Sequence, residues 1–299
     1  MSLDFDDSRQ LWVAHGAAVP EALAHPQLHV RPPAEPVPAA LAGTAVGEVF
    51  ALLVRMTDGE FHARHKPAVR SAAQRWSDDE VQAAAATAAH SLWPADDVND
   101  WLWQVPVQAM ARLLGVADSQ LDRTVACVRD FTRAIAPGAD ADAVARGDAA
   151  ARELMEQGAS VGLDRVQCAN RIALMQQALD ATSGLMGNVL IALQREGAQP
   201  TRAFVERVAL AEAAILNTRR YAAQDLALAG RTVRRGQCVL LQLAEAGLPF
   251  GAGAHECPGQ RLAIGIAAAA LTAMPFASRD WTPLGWRPLP NARIPVFAP

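Results

Sequence analysis

Residues 250–263 read Phe250-Gly251-Ala252-Gly253-Ala254-His255-Glu256-Cys257-Pro258-Gly259-Gln260-Arg261-Leu262-Ala263. Turn-forming residues give way at Cys257 to a helix-forming run, apolar and rich in alanine from Leu262 to Leu271. Pro258 suits the first helical position, where a missing N–H costs nothing, so Cys257 is expected at the N-cap. Unpaired N–H groups and the positive end of the helix dipole would then face its sulfur, a setting that lowers a thiol pKa. The glycines let the backbone lie close to a large flat ring. A thiolate on such a loop suits an axial ligand for a planar metallocofactor.

Three other readings compete. A buried structural cysteine is the common fate of a lone Cys, but it leaves the glycines, the histidine and the proline unexplained. A dinucleotide loop needs G-x-G-x-x-G, and Glu256 stands at the third glycine position. A zinc site needs more ligands than His255 and Cys257 provide here.

The stretch resembles the haem-binding signature of the cytochrome P-450 family, F-G-x-G-x-H-x-C-x-G-x-x-L-A, at every specified position. The resemblance implies a mainly α fold with a small β portion, over one haem domain spanning residues 1–299. It implies haem b (heme, iron protoporphyrin IX), with the Cys257 thiolate as the iron ligand. Phe250, Gly251, His255 and Gly259 are then cofactor-binding residues, with His255 a propionate contact.

Bulk properties narrow the function classes. The chain has 299 residues, 51% of them hydrophobic, enough for a substantial core. Net charge is −4 and no basic block exists, which argues against a nucleic-acid partner. Cys127, Cys168, Cys238 and Cys257 are widely spaced without a C-x-x-C and read as reduced thiols of a cytoplasmic protein. Residues 1–10 are acidic and lack a signal-peptide core, and no apolar run approaches a membrane span.

Trp12 to Ala24 reads as a short helix, His29 to Pro38 as a proline-rich connector, and Leu41 to Met56 as partly helical. His62 and Lys66 are four apart and share a face of any helix. The family has H-x-x-x-R on a helix here, whose side chains bind a haem propionate, so the resemblance makes both candidate contacts. Lys66 replaces the arginine and loses its fork. Pro67 disfavours helical geometry at Lys66. Helices are expected over Val81–Leu92 behind a Ser77 cap, and over Val105–Val116, Leu121–Ile135 and Asp142–Gln157.

Arg165 to Glu196 is the longest helical pattern. Its Asp180-Ala181-Thr182 run is similar to the family's A-G-x-(D/E)-T-T core on the helix crossing the distal haem face. Asp180 matches the acid and Thr182 the second threonine, which makes them candidate proton-relay residues. Ala181 takes the place of the first threonine. Thr201 to Leu216 reads as another helix. The family's E-x-x-R pair belongs there, yet no E-x-x-R occurs in the chain, and Arg207 and Leu210 fall at the counted positions. Thr218 to Gly230 resembles T-x-R-x-A-x-x-D followed by a small sheet, with Arg220 at the second propionate-binding position. Only Gln242 to Pro249 separates the next strand from Phe250, so the family's meander is missing and several elements are trimmed. Trp281 to Pro299 reads as short strands resembling the C-terminal hairpin.

The resemblance implies a haem-thiolate oxidoreductase, most simply a monooxygenase, acting on a small organic molecule with an electron-donor protein. A haem-thiolate enzyme needing no external electrons (a peroxide user, dehydratase or isomerase) and a non-catalytic haem-binding relative stay open. Loss of the meander is expected to bare apolar surface that a homodimer would cover.

Overall fold

A computed structural model of the chain describes residues 2–95, 97–274 and 279–299; Met1 lies outside them. The chain starts with β1 (Ser2–Asp6) and β2 (Leu11–His15), an antiparallel pair. The helix expected over Trp12–Ala24 is therefore confined to α1 (Ala18–Ala24). Trp12, Val13 and Ala14 instead lie parallel to Val239, Leu240 and Leu241 of β7 (Cys238–Leu241). Strand pairing with so distant a segment overrides local helix preference. β7 also pairs with β4 (Thr218–Ala222), and β4 with β3 (Leu28–His29), which closes a sheet ordered β1-β2-β7-β4-β3. A second small sheet joins β5 (Leu226–Leu228) and β6 (Arg231–Val233).

The rest is mostly helical. α2 (Ala45–Leu52) starts at Thr44, whose side chain accepts from the Gly47 N–H. α3 (Gly59–Gln74) runs straight through Pro67. That residue lies on the exposed face with Ala63, so the carbonyl left without its partner is open to water. α4 (Asp78–Ser91) begins with a reciprocal Ser77–Glu80 capping box. α5 (Val98–Leu113) starts earlier than expected, because the Asp97 side chain caps the Asn99 N–H. α6 (Leu121–Ala134) and α7 (Ala141–Ser160) follow the pattern read from sequence.

α8 (Arg165–Glu196) is the axle of the molecule, buried on most of its circumference between Cys168 and Ala192. A helix this apolar must be covered over most of its surface; α5, α6, α7, α9 (Arg202–Ala211) and α10 (Gln260–Thr272) pack around it. α9 stops five residues short of the expected Leu216. There Ile215 bridges Ala292 and the Leu216 N–H donates to the Asn291 carbonyl, so the C-terminal segment takes over the backbone bonds.

The last element is the hairpin of β8 (Gly285–Trp286) and β9 (Pro295–Val296). It lies on α8 where side chains are absent. A Cβ on Gly187 would stand 2.4 Å from Pro295 Cγ, and one on Gly184 would stand 3.2 Å from Ile294 Cγ1. This close approach brings the hairpin's Arg287 against Asp180. Among the described residues no helix is long and apolar enough to cross a membrane.

Candidate functional site

The Cys257 loop is built by its glycines. Gly251 and Gly253 have φ of 69° and 70°, the left-handed region where a side chain is strained. These turns fold the loop back so that the Cys257 N–H donates to the Phe250 carbonyl at 2.9 Å and the Glu256 N–H to Gly253 O at 3.1 Å. Phe250 is half-buried against the helical core and pins the start of the loop. α10 begins at Gln260 with Gly259 at its N-cap, so Cys257 is not the cap expected from the sequence but lies two residues ahead of it. From there the Gly259 and Gln260 N–H groups still favour the thiolate, though not by enough to set the balance. A Cβ on residue 259 would come within 3.9 Å of Sγ, so glycine leaves the thiol uncrowded.

The expected lowering of the thiol pKa is not the net result. Desolvation by the protein around the loop raises the Cys257 thiol, against the pull of those two N–H groups and of Lys66. The residue itself is exposed, so that desolvation comes from the density of the surroundings and not from direct cover. It lines a cleft of about 690 Å³ with Arg70, Arg202, Glu206 and Arg261. A coordinated metal ion inverts this balance, because it deprotonates a thiol outright.

The start of α3 is stitched to the loop. The His62 and His255 rings meet at 4.2 Å between centroids, tilted by 34°. His255 Nε2 lies 3.0 Å from Asp58 Oδ1, and Asp58 Oδ2 accepts from the Val30 N–H at 2.9 Å. Lys66 Nζ donates to the Glu256 carbonyl at 2.9 Å. Burial pushes Asp58 up, but the His255 and Val30 hydrogen bonds outweigh it and hold the carboxyl below its usual range. His62 is 6% exposed, and its Nε2 is buried with no partner. Burial, then the nearby His255 and Lys66, push its pKa down to about 4. The ring is therefore neutral near pH 7.

Among the described residues Arg220, 5% exposed on β4, donates only to Thr218 Oγ1 and to the carbonyl of its neighbour Arg219. Burial lowers its pKa, with Asp58 partly opposing. A buried guanidinium satisfied by a hydroxyl and a carbonyl alone retains donors for an anion. An orphaned imidazole nitrogen, an under-used guanidinium and an open thiol on a glycine loop fit a haem: Cys257 for the iron, His62 and Arg220 for acidic substituents on the ring edge.

On α8 the open side is narrow. Gln177 is exposed and Asp180 and Ala181 half-buried, within a stretch whose other residues are mostly buried. Ala181 thus stands on the open side, whereas Thr182 is 2% exposed. Asp180 Oδ1 accepts from Arg287 Nη1 at 2.8 Å. At the positions counted for E-x-x-R, Arg207 pairs across to Glu196 at 2.5 Å, and Leu210 is 49% exposed. Glu196 also meets Arg195, which reaches Glu212. An exposed network of that kind contributes little.

Sequence reasoning overlooked Asp58 and Arg287. Asp58 carried a signal, as a short acid heading a helix, although its side chain caps nothing and orients His255 instead. Arg287 carried none, because it meets Asp180 across 107 residues.

The fold is that of the cytochromes P-450. The solved structure of P450BioI in complex with hexadec-9Z-enoic acid ligated acyl carrier protein superposes with a TM-score of 0.76, at 19% identity, over 96% of this chain and 90% of that one. Cytochrome P-450 RauA, complexed with a biosynthetic intermediate of aurachin RE, gives 0.75 at 19% identity, over 98% and 91%. CYP109E1 from Bacillus megaterium, in complex with testosterone, gives 0.72 at 15% identity, over 98% and 93%. No family model and no curated protein sequence matches the chain.

Proposed function

We propose that the chain binds haem b through the Cys257 thiolate and acts as an oxidoreductase, most simply a monooxygenase, on a small organic molecule. One observation carries this reading: an exposed thiol on a glycine loop, tied to a helix whose His62 offers a buried nitrogen without a partner. Bound haem would supply oxygen activation and electron transfer. The chain's own residues do the rest. The Gly259 and Gln260 N–H groups favour the thiolate form of the sulfur. Asp58 fixes the His255 ring and, through it, the contact with His62. His62 and Arg220 would hold the propionates, with His255 and Lys66 keeping the loop against α3. Asp180 and Thr182 are the relay candidates. Asp180 sits at the open side of α8 and could hand on a proton at its free Oδ2. The arginines of the cleft beside Cys257 suit an acidic electron-donor protein. A second copy of the chain covering exposed Leu210 would compete for that side, which sedimentation of the pure protein tests.

A second reading has its own support. Ala181 offers no hydroxyl on the open side of α8, Thr182 is buried, and Asp180 is held by Arg287. This arrangement favours a haem-thiolate enzyme that consumes no external electrons. The deciding experiment adds haem to the purified chain and follows substrate conversion with reductant and oxygen, with peroxide, and with neither. Conversion confined to the first condition supports the monooxygenase; conversion in either other condition supports the second reading.

A further inference from the structure

Arg55 carries a charge that the protein does not neutralise. It lies on the single turn Val54–Met56 directly before α3. Its Nη2 donates to Gln176 Oε1 at 3.0 Å and its Nη1 points to the Met56 thioether at 3.1 Å. Its Nε is buried with no partner. Among the described residues no carboxylate lies within ion-pair distance of it. The side chain as a whole is half-buried, and desolvation alone pushes its pKa down to about 10, with no neighbouring charge opposing. Cations so placed are ordinarily paired.

Arg287 shows what compensation looks like here: it meets the Asp180 carboxylate of α8, the helix that also carries Gln176. Arg171, 7% exposed, is compensated in part: it donates to the Leu114 carbonyl at the C-terminal end of α5, where the helix dipole is negative, while its Nη1 is buried with no partner among the described residues. Arg55 has only a neutral amide oxygen and a sulfur, and a thioether is a weak acceptor that an anionic oxygen displaces.

Its position relative to the site is defined on both sides. Gln176 Oε1, which holds Nη2, also accepts from Gln177 Nε2 at 2.7 Å. Gln177 is the exposed residue of the open stretch of α8, one turn before Ala181. In the other direction the chain passes from Arg55 into α3, where His62 meets His255 of the Cys257 loop. Arg55 thus stands beside the open stretch of α8, to which Gln176 links it. Of its apolar chain neighbours, Val54 is fully buried and Met56 half-buried.

We propose that Arg55 anchors the carboxylate of an amphipathic organic substrate, whose apolar body extends along the open side of α8. This rests on the reading of that space as the substrate site of a haem enzyme. One guanidinium balances one negative charge, so a monocarboxylate fits better than a phosphate dianion. Charge-assisted hydrogen bonds of this kind are shorter and stronger than neutral ones.

The test titrates the full chain, supplied with haem, with dodecanoate and with dodecan-1-ol, reading the Soret band and, in parallel, the heat of binding. The wild type should bind the acid at least about tenfold tighter than the alcohol, the factor expected of one hydrogen bond to a charged group. Arg55→Leu should abolish that ratio and leave alcohol binding unchanged, whereas Arg55→Lys should keep part of it. Equal affinities in the wild type, or no binding of dodecanoate, overturn the proposal without recourse to any variant. An unchanged ratio in Arg55→Leu accompanied by weaker haem retention also overturns it, and assigns Arg55 to the haem. Absence of a thiolate-type Soret band counts against the haem reading, while the calorimetric ratio still decides the role of Arg55.

Discussion

Replacing His62 with phenylalanine should change how the haem-free chain responds to acid. The ring is 6% exposed, its Nε2 has no partner, and His255 and Lys66 stand beside it. Its pKa of about 4 in the folded chain lies below the unfolded value near 6.5. Between those values the unfolded state binds more protons, so stability rises with pH across the window. The contribution is fully present above about pH 6.5 and is lost as the pH falls through about 4. At roughly 1.4 kcal/mol per pKa unit the full contribution is about 3.5 kcal/mol, of which about 3 kcal/mol is lost by pH 4. Asp58 is also held low and loses its contribution only below the ordinary aspartate pKa of 3.8, beneath this window. Urea unfolding followed by circular dichroism at pH 7.5, 6, 5 and 4 gives the slope directly. The wild type should lose about 3 kcal/mol over that range more than His62→Phe does. Parallel slopes in the two proteins would show that the folded ring takes up protons freely, and the buried, neutral His62 would be wrong.

Gly187→Ala places a methyl 2.4 Å from Pro295 Cγ, and overpacking of that kind costs about 1–3 kcal/mol; an unchanged thermal midpoint would mean that the C-terminal hairpin is not seated on α8. Arg287→Met removes a half-exposed pair worth about 0.2–1 kcal/mol, so the melting temperature should hardly move while turnover responds to the freed Asp180. Equal turnover in variant and wild type would remove Asp180 from the chemistry. Ala181→Thr restores a hydroxyl on the open side of α8, and positioned acid assistance is typically worth about 10²–10⁴-fold. If the chain is reductant-driven, product per reductant consumed should rise; tight coupling in the wild type with no gain in the variant would contradict this reading of the helix.

The legible parts of the chain are those whose instructions are local. The run Arg165–Glu196 announces α8 to its last residue because cap, apolar content and terminal Gly197 are all contained within it. Ser77 and Glu80 announce α4 for the same reason. Leu11–His15 went unread as a strand because its partner β7 lies more than 220 residues away. α9 was read too long because its end is set by Asn291 and Ala292. In the site, the Cys257 loop could be read from spacing alone, whereas its two-residue offset from the helix start depends on how Gly259 closes the turn. Asp58, Arg55 and Arg287 take their meaning from His255, Gln176 and Asp180, contacts that no periodicity encodes.

The central claim is ligation by Cys257, and the absorption spectrum of the reduced carbon monoxide complex tests it most directly. The wild-type chain supplied with haem should show the red-shifted Soret band of a thiolate ligand, and Cys257→Ala should lose it. Survival of that band in the variant would make Cys127, Cys168 or Cys238 the ligand and contradict the account.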